Sequence, residues 1–152
     1  MPAKRKSAPK INPELAWYAL EVRGSHIHGW GVFALEDIPG KKPVIEYSGK
    51  RLTSGQAACV RPPKDEYLAR LDLNTVLDGA FHGSGAERIN HSCAPNLVVK
   101  KTRTRIVFHS LRRIRAGEEL TFRYSYPVKI KRIPCRCGSQ NCRRTLRYIF
   151  RW

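Results

Sequence analysis

The chain has 152 residues, 41% of them hydrophobic, which is enough for one domain with an ordinary core and too short for two full-size domains. Its 29 Lys and Arg residues against 12 Asp and Glu residues give a formal net charge of +17, which predicts a surface that attracts polyanions. No apolar run reaches the roughly 20 residues that a membrane helix requires, and no apolar signal-peptide core follows the basic N-terminus. These features predict a soluble protein in a reducing, intracellular compartment.

The first 16 residues differ in composition from the rest of the chain. They carry Lys4, Arg5, Lys6 and Lys10 together with prolines, and they show no periodic apolar pattern. Such a composition buries too little apolar surface to offset the entropy lost on ordering. Residues 1–16 are therefore predicted to form a basic, disordered tail.

From residue 17 the sequence consists of short pieces rich in β-branched and aromatic residues, separated by Gly, Pro, Asn or Asp. This pattern predicts a mostly β domain over residues 17–127, with a short helix at 54–60 and a linker at 128–134. Cys59, inside that helix, is interpreted as a small buried hydrophobic residue. The predicted strands are 18–23, 31–35, 43–48, 66–71, 75–77, 97–99, 105–111 and 119–122.

Basic residues concentrate in two parts of the chain. No acidic residue follows Glu119, whereas basic residues continue to Arg151, and a second basic cluster falls on an apparent hairpin tip at 100–105. One interpretation is that the charge serves solubility alone. The other is contact with nucleic acid or a nucleic-acid-bound partner, because clustered Lys and Arg release counterions from phosphates, and it predicts an affinity that falls steeply with salt.

Three of the five cysteines lie close together, as Cys135, Cys137 and Cys142. In a reducing compartment this spacing favours a structural Zn²⁺ site, which takes four tetrahedral ligands, over a disulfide framework. Residues 135–152 are therefore predicted to form a zinc-binding segment with an aromatic tail. Spacing alone leaves the fourth ligand open, and the candidates are Cys59, Cys93, His82, His91 and His109.

Two further segments have ordinary interpretations when each is taken alone. Gly29 and Gly31 flank Trp30 just before a predicted strand, which is either a simple turn or a backbone that approaches a ligand closely. A second glycine turn, at 117–118, leads into the last predicted strand and then to Tyr124 and Tyr126. By itself Tyr124 is more typical of a core than of an active site.

Taken together and in order, these segments resemble one family. Over about residues 17–146 the chain resembles the SET-domain protein lysine methyltransferases that carry a C-terminal post-SET zinc segment, and it looks most like the compact SET proteins of bacteria. The matching landmarks are Gly29-Trp30-Gly31, Glu46-Tyr47-Ser48-Gly49, Asn90-His91-Ser92-Cys93, Gly117-Glu118-Glu119-Leu120-Thr121 leading to Tyr124, and the Cys-x-Cys-x₄-Cys pattern.

The resemblance implies a mostly β SET fold of small curved sheets with a pseudoknot, followed by the short zinc-binding segment, and it implies S-adenosylmethionine and structural Zn²⁺ as cofactors. The implied cofactor-binding residues are Gly29, Trp30, Gly31, Asn90, His91 and Tyr124. The implied catalytic residues are Tyr124 and Tyr47, and the implied substrate channel consists of Tyr47, Phe122 and Tyr126. The implied zinc ligands are Cys93, Cys135, Cys137 and Cys142, with Cys93 as the fourth.

Such a site has a clear chemical task. A substrate lysine has a reference pKa near 10.4 and is not nucleophilic while protonated. An aromatic channel and a nearby sulfonium both disfavour the ammonium form, so alignment and electrostatics supply most of the rate enhancement and no dedicated general base is expected. The aromatic tail is interpreted either as a wall of the site or as packing on the core, through Tyr148, Phe150 and Trp152.

Four positions bear on how this chain differs within the family. Glu87 and Arg88 stand where relatives commonly have Arg and Phe before Ile-Asn, and Arg123 stands where many have Asp. Phe122 stands at a position that in relatives influences how many methyl groups are added. Phenylalanine there predicts di- or trimethylation.

The resemblance implies an S-adenosylmethionine-dependent protein lysine N-methyltransferase that acts on a histone or another basic DNA-associated protein, such as a nucleoid protein. Because a +17 enzyme repels an isolated cationic tail, the substrate is expected to be presented on DNA. The alternative is a catalytically inactive SET-fold module that binds zinc and nucleic acid. The expected location is the cytoplasm or nucleoid of a bacterium, or the nucleus and chromosomes of a eukaryote, with no membrane partner.

Overall fold

A computed structural model of the chain describes residues 9–60, 67–125 and 133–146. The expected roles of Tyr126, Tyr148, Phe150 and Trp152, and most of the predicted linker, fall outside these residues. The described strands are β1 Leu20–Gly24, β2 Trp30–Ala34, β3 Pro43–Tyr47, β4 Lys50–Thr53, β5 Leu68–Arg70, β6 Thr75–Asp78, β7 Asn90–His91, β8 Leu97–Lys101, β9 Ile106–Ser110 and β10 Glu119–Phe122. The described helical elements are α1 Ser54–Ala58 and two 3-10 turns, Pro13–Leu15 and Ala86–Arg88.

The strands form three small sheets. One has the order β1-β2-β10-β7, the second has the order β3-β9-β8, and the third has the order β4-β6-β5. Among the described strands, pairing is antiparallel except between β7 and β10, where Asn90 lies opposite Thr121 and His91 lies opposite Phe122. The predicted mostly β architecture of small sheets is confirmed, and every predicted strand overlaps an observed one.

Two observed strands, β4 and β7, have no counterpart among the predicted ones. β4 reads Lys-Arg-Leu-Thr, which offers one apolar residue and no alternation, and it lies at the edge of its sheet. β7 is only two residues long. Both strands exist because a distant strand supplies their hydrogen-bond partners, which no local pattern can reveal.

The three sheets share one hydrophobic core. In β9, Ile106 and Phe108 are buried whereas the intervening Val107 is partly exposed, as expected where alternate side chains face the core. Outside the strands, Ile38 and Ile114 pair in an isolated bridge and are fully buried. Burial of each such side chain contributes about 1.5–3 kcal/mol.

Residues 11–16 differ from the disordered tail expected at 1–16. The Ile11 side chain packs against the core, and the Asn12 N–H donates to the Ser84 carbonyl at 2.8 Å. Ala16 forms an antiparallel bridge with Ile45. Apolar burial and backbone pairing therefore order these residues against the domain, and residues 1–8 lie outside the described part of the chain.

The expectation that Cys59 is buried is wrong, because its side chain is exposed. Helix α1 begins with a reciprocal capping box between Thr53 and Gln56, and none of its residues is buried, so the helix and its C-cap Cys59 lie on the surface. Among the described residues no helix has the length and apolar character needed to cross a membrane.

Candidate active site and cysteine cluster

The buried Asn90 side chain joins three segments that are far apart in sequence. Its Nδ2 donates to the carbonyls of His28 at 3.2 Å and Trp30 at 3.0 Å, and to Glu119 Oε1 at 2.9 Å. The turn between those two carbonyls contains Gly29 at a φ of +45°, a conformation that side chains rarely adopt. Asn90 thus holds the glycine turn against the start of β10.

Position 31 must be glycine because the Glu119 side chain lies against it. The sequence indicated Glu119 only as part of the matching segment 117–121. A Cβ at position 31 would collide with the Glu119 carboxylate. Ser25 Oγ lies 2.8 and 2.9 Å from the two oxygens of that carboxylate. The close approach expected at Gly31 is therefore made to Glu119, and among the described residues Gly31 does not line the cavity beside it.

Segment 90–96 is held on its other side by β10. The Asn96 side chain donates to the Glu119 carbonyl at 2.8 Å and accepts from the Thr121 N–H at 2.9 Å. The Ser92 N–H donates to the Phe122 carbonyl at 3.1 Å. This is the segment for which the family resemblance implies the pseudoknot.

Tyr124 follows β10 and its hydroxyl is oriented by the backbone. The hydroxyl donates to the Ile89 carbonyl at 2.7 Å, and the Tyr124 N–H donates to His91 Nδ1 at 3.0 Å. Burial, with the charges of Arg123 and Arg143, lowers the pKa of His91 to about 4, so the ring is neutral and can accept that bond. The Tyr124 phenol is thereby placed in a fixed position on the cavity wall.

Tyr47 occupies a different environment from Tyr124. It is only 7% exposed, its hydroxyl donates to the Tyr67 carbonyl, and a Cβ at Gly79 would lie 2.6 Å from that hydroxyl. Burial, followed by the charges of Glu87 and Asp78, raises the pKa of Tyr47, which keeps the phenol neutral. Tyr67, which the sequence reasoning did not single out, lines the cavity in front of it.

These segments surround a cavity of about 520 Å³, a size suited to a small-molecule ligand. Of the residues expected at the site, it is lined by Gly29, Trp30, Asn90, His91 and Tyr124, and not by Gly31, Tyr47 or Phe122. The remaining lining residues are Ile27, His28, Tyr67, Glu87, Arg88, Ile133, Pro134, Cys135, Arg136 and Leu146.

The cavity has a second wall that comes from the end of the predicted linker and the cysteine segment. The Leu146 N–H donates to the Ile133 carbonyl at 2.8 Å, and Pro134 bridges Thr145. Ile133 and Leu146 therefore present apolar surface to a cavity that polar and aromatic side chains also line.

Beside the cavity, four sulfur atoms form a cluster in which all lie within 4.8 Å of one another, from Cys93, Cys135, Cys137 and Cys142. The sulfurs of Cys93 and Cys135 are 3.8 Å apart, the separation of about 3.8 Å expected for two thiolates on a tetrahedral ion with Zn–S bonds near 2.3 Å. Of the candidates that spacing left open, geometry brings Cys93 to the cluster. The cluster does not include Cys59, His82, His109 or His91, whose Nε2 lies 3.4 Å from the Cys93 sulfur.

Hydrogen bonds favour the thiolate form of Cys137, whereas burial raises the pKa of the neighbouring Cys135 thiol. Burial tends to raise the pKa of Cys137, but donors that include the Cys93 N–H and the Ser139 hydroxyl lower it to about 5. The Arg143 N–H points to the Cys93 sulfur at 3.4 Å. A donor set of four closely spaced thiols with such partners suits Zn²⁺.

The three charged departures from the family pattern have different positions. Arg123 donates from Nη2 to the Cys93 carbonyl at 2.8 Å, and among the described residues it does not line the cavity. Glu87 and Arg88 do line it. Arg123 therefore supports the cysteine cluster, while the other two residues change the cavity itself.

Comparison with known proteins places this architecture in one family. The family model described as SET domain matches residues 29–125, more than half of the chain. The histone-lysine N-methyltransferase SETD1B of Homo sapiens is 40% identical over 133 residues, which cover 80% of this chain and 7% of SETD1B. The histone-lysine N-methyltransferase trithorax of Drosophila virilis is 39% identical over 131 residues, which cover 80% of this chain and 3% of trithorax.

Solved structures agree with the sequence comparison. The crystal structure of KRYPTONITE in complex with mCHG DNA and SAH matches with a TM-score of 0.73 and 35% identity, over 86% of this chain and 29% of that chain. The chain belongs to the SET-domain family, as predicted. It spans a small fraction of the length of these relatives, and the two sequence relatives are eukaryotic, so they do not test the similarity to bacterial SET proteins.

Proposed function

We propose that the chain is an S-adenosylmethionine-dependent protein lysine N-methyltransferase that acts on a histone. The observation that carries this proposal is the cavity, because the glycine turn, Asn90-His91 and Tyr124 converge on it within a domain of the SET family. The relatives named above are histone-lysine N-methyltransferases, and KRYPTONITE was crystallised with SAH, the demethylated form of that cofactor.

The lining fits the proposed cofactor chemically. Trp30 is 43% exposed and offers an aromatic face, while Ile133 and Leu146 offer apolar surface for a planar base. The hydrogen bonds of Asn90 hold the backbone of the glycine turn in place. Bound S-adenosylmethionine supplies an activated methyl group on its sulfonium.

The protein's own contribution is alignment. The Ile89 carbonyl orients the Tyr124 hydroxyl, and the Phe122 ring, 4.8 Å from the ring of Tyr124, packs against that residue without itself lining the cavity. Aromatic walls disfavour the ammonium form of a lysine, and fixed oxygen atoms direct the lone pair of the neutral amine. Tyr47 contributes indirectly. Its hydroxyl donates to the Tyr67 carbonyl and so fixes the backbone of Tyr67.

Zinc has a structural role in this proposal. One ion held by Cys93, Cys135, Cys137 and Cys142 would tie the C-terminal segment to the loop that follows β7. That tie would keep Ile133 and Leu146 on the cavity wall.

The net charge bears on the substrate. A +17 chain repels a free histone tail, so DNA that carries the histone serves as the bridging polyanion, and a chromatin location is part of this proposal.

The second candidate, an inactive module that binds zinc and nucleic acid, is favoured by the charged Glu87 and Arg88 in the cavity. Binding of the cofactor separates the two candidates.

The decisive experiment is methyl transfer from labelled S-adenosylmethionine to histones and nucleosomes, with the wild type and Tyr124→Phe. We expect label on lysine and a loss of about 100-fold in rate in the variant, because the oriented hydroxyl is removed. Tyr18→Phe, which makes the same chemical change away from this cavity, is the matched control. If no methyl transfer is detected and calorimetry shows no binding of the cofactor, the inactive binding module is favoured.

A further inference from the structure

Two adjacent charged residues, Glu87 and Arg88, stand in the cavity wall, and the surrounding glycines make room for them. Both belong to the 3-10 turn that follows Gly85, whose φ is +98°. A Cβ at Gly79 would lie 2.8 Å from the Glu87 Cβ, and one at Gly83 would lie 2.6 Å from Glu87 Oε2. The wall is therefore shaped around the Glu87 side chain.

The Arg88 guanidinium is held in one orientation. Its Nη1 donates to the Tyr67 hydroxyl at 2.7 Å, and its central carbon lies 4.6 Å from the centre of the Tyr67 ring. Glu87 Oε1 is 3.8 Å from Arg88 Nε, too far for a hydrogen bond. The Arg88 side chain is 25% exposed, and among the described residues neither its Nη2 nor its buried Nε has a hydrogen-bond partner, so the guanidinium keeps donor capacity.

The chemistry of the proposed cofactor identifies what this cation would bind. S-adenosylmethionine carries one anionic group, its α-carboxylate, while its sulfonium and α-ammonium are positive and its adenosine part is neutral. We infer that Arg88 binds the α-carboxylate of S-adenosylmethionine, a conclusion that rests on the function proposed above. The neighbouring Glu87 carboxylate offsets the repulsion that Arg88 would otherwise exert on the α-ammonium of the same group.

The position of Arg88 makes it a better candidate for binding the carboxylate than Arg136, the other arginine that lines the cavity. Arg88 precedes Ile89, whose carbonyl accepts the Tyr124 hydroxyl, so it lies beside the proposed site of methyl transfer. A short carbon chain joins the carboxylate to the sulfonium, which places the carboxylate near that site too. Arg136 is exposed and belongs to the part of the lining that residues 133–146 contribute.

The test compares two probes by calorimetry on the zinc-loaded full chain: S-adenosylmethionine and its decarboxylated analogue, which differs only in the carboxylate. We expect the wild type to bind the analogue about 10- to 100-fold more weakly. Arg88→Gln should weaken binding of S-adenosylmethionine by a similar factor and leave the analogue nearly unchanged. Arg88→Lys should retain part of the discrimination, since it keeps the charge.

Arg136→Gln is the matched control, because it removes the same charge from the same cavity and should preserve the discrimination. Equal binding of the two probes by the wild type would overturn the inference, and so would an equal loss of affinity for both probes in Arg88→Gln. If Arg88→Gln does not fold, the ratio of the affinities for the two probes, measured in the wild type and in Arg88→Lys, still tests the inference. A wild type that binds neither probe would instead refute the proposed function, and the inference with it.

Discussion

The Phe122 ring packs against two other aromatic rings, edge-on to Phe108 at a centroid distance of 4.9 Å and tilted against Tyr124 at 4.8 Å. Because these rings are so close, a hydroxyl added to Phe122 is expected to crowd the space beside Tyr124. The family resemblance associates this position with the number of methyl groups transferred. Its neighbours in the structure are consistent with a steric origin for that effect.

We therefore predict that the wild type makes di- or trimethyl-lysine and that Phe122→Tyr shifts the product towards monomethyl-lysine. Mass spectrometry of the methylated substrate measures the distribution. Phe33→Tyr adds the same hydroxyl beneath the Arg23 guanidinium, outside the cavity, and serves as the control. A wild type that yields only monomethyl product would contradict the prediction.

The buried Glu87 carboxyl gives a prediction for stability as a function of pH. Burial raises its pKa, because desolvation outweighs the hydrogen bond from Gly85 and the charge of Arg88. A carboxyl with a raised folded-state pKa binds its proton more tightly in the folded protein. The ionised carboxylate therefore destabilises the folded protein. This destabilisation is absent below the pKa of the group in the unfolded state and complete above its pKa in the folded state.

Glu87→Gln is therefore expected to raise the free energy of unfolding relative to the wild type at about pH 8, and to do so less at about pH 4.5. Urea denaturation at both pH values measures the difference. Glu14→Gln, which removes an exposed carboxylate, should show no such pH-dependent gain. A gain for Glu87→Gln that is the same at both pH values would contradict the assignment of a raised pKa.

At the scale of elements, the segment 133–146 contrasts with the sheets. Its described backbone pairing is limited to short contacts, such as Cys135 N–H to the Arg144 carbonyl and Cys142 N–H to the Ser139 carbonyl. Cys135 is its one buried residue within the described range. Because the segment buries so little, we propose that metal ligation would supply its order, whereas the three sheets share an apolar core.

We predict one zinc ion per chain, with Cys142→Ser losing most of it and binding S-adenosylmethionine about 10-fold more weakly, because the wall formed by Ile133 and Leu146 is released. Atomic absorption and calorimetry measure the two effects. Cys59→Ser is the matched control, since Cys59 is exposed and outside the cluster. Full zinc content in Cys142→Ser, or unchanged cofactor affinity after chelation, would count against this role.

At the scale of the whole molecule, part of the basic surface is neutralised and part is not. Arg105 pairs with Glu46, Arg112 with Glu118, and Arg113 with Asp37. These arginines should contribute less to polyanion binding than the exposed basic residues of the β8–β9 hairpin. Lys100 and Arg103 are exposed there, and neither has an ion pair among the described residues.

We predict that the chain binds duplex DNA with an affinity that falls steeply with salt, and that Lys100→Ala with Arg103→Ala reduces the logarithmic salt slope by about 2. Fluorescence anisotropy over a salt series measures the slope. Arg113→Ala, which removes a paired charge, should change it less. Affinity that does not depend on salt would support the interpretation that the charge serves solubility alone.

Local sequence patterns determined much of this protein. The predicted strands at 31–35, 43–48 and 119–122 lie where β2, β3 and β10 are found, because alternation and turn residues are local properties. The spacing of Cys135, Cys137 and Cys142 indicated a metal site for the same reason. The ordered set of landmarks indicated the family, since each landmark is a short segment.

Only the tertiary structure decided which residues from distant parts of the chain contact one another. The sequence did not show that Tyr47 lies behind Tyr67 or that Cys59 is exposed. Spacing left the fourth metal ligand open between cysteine and histidine, and the parallel pairing of β7 with β10 carries Cys93 towards the C-terminal cysteines. The cavity depends on contacts between segments that are 60 or more residues apart, and burial there is a property of the folded chain that no local pattern contains.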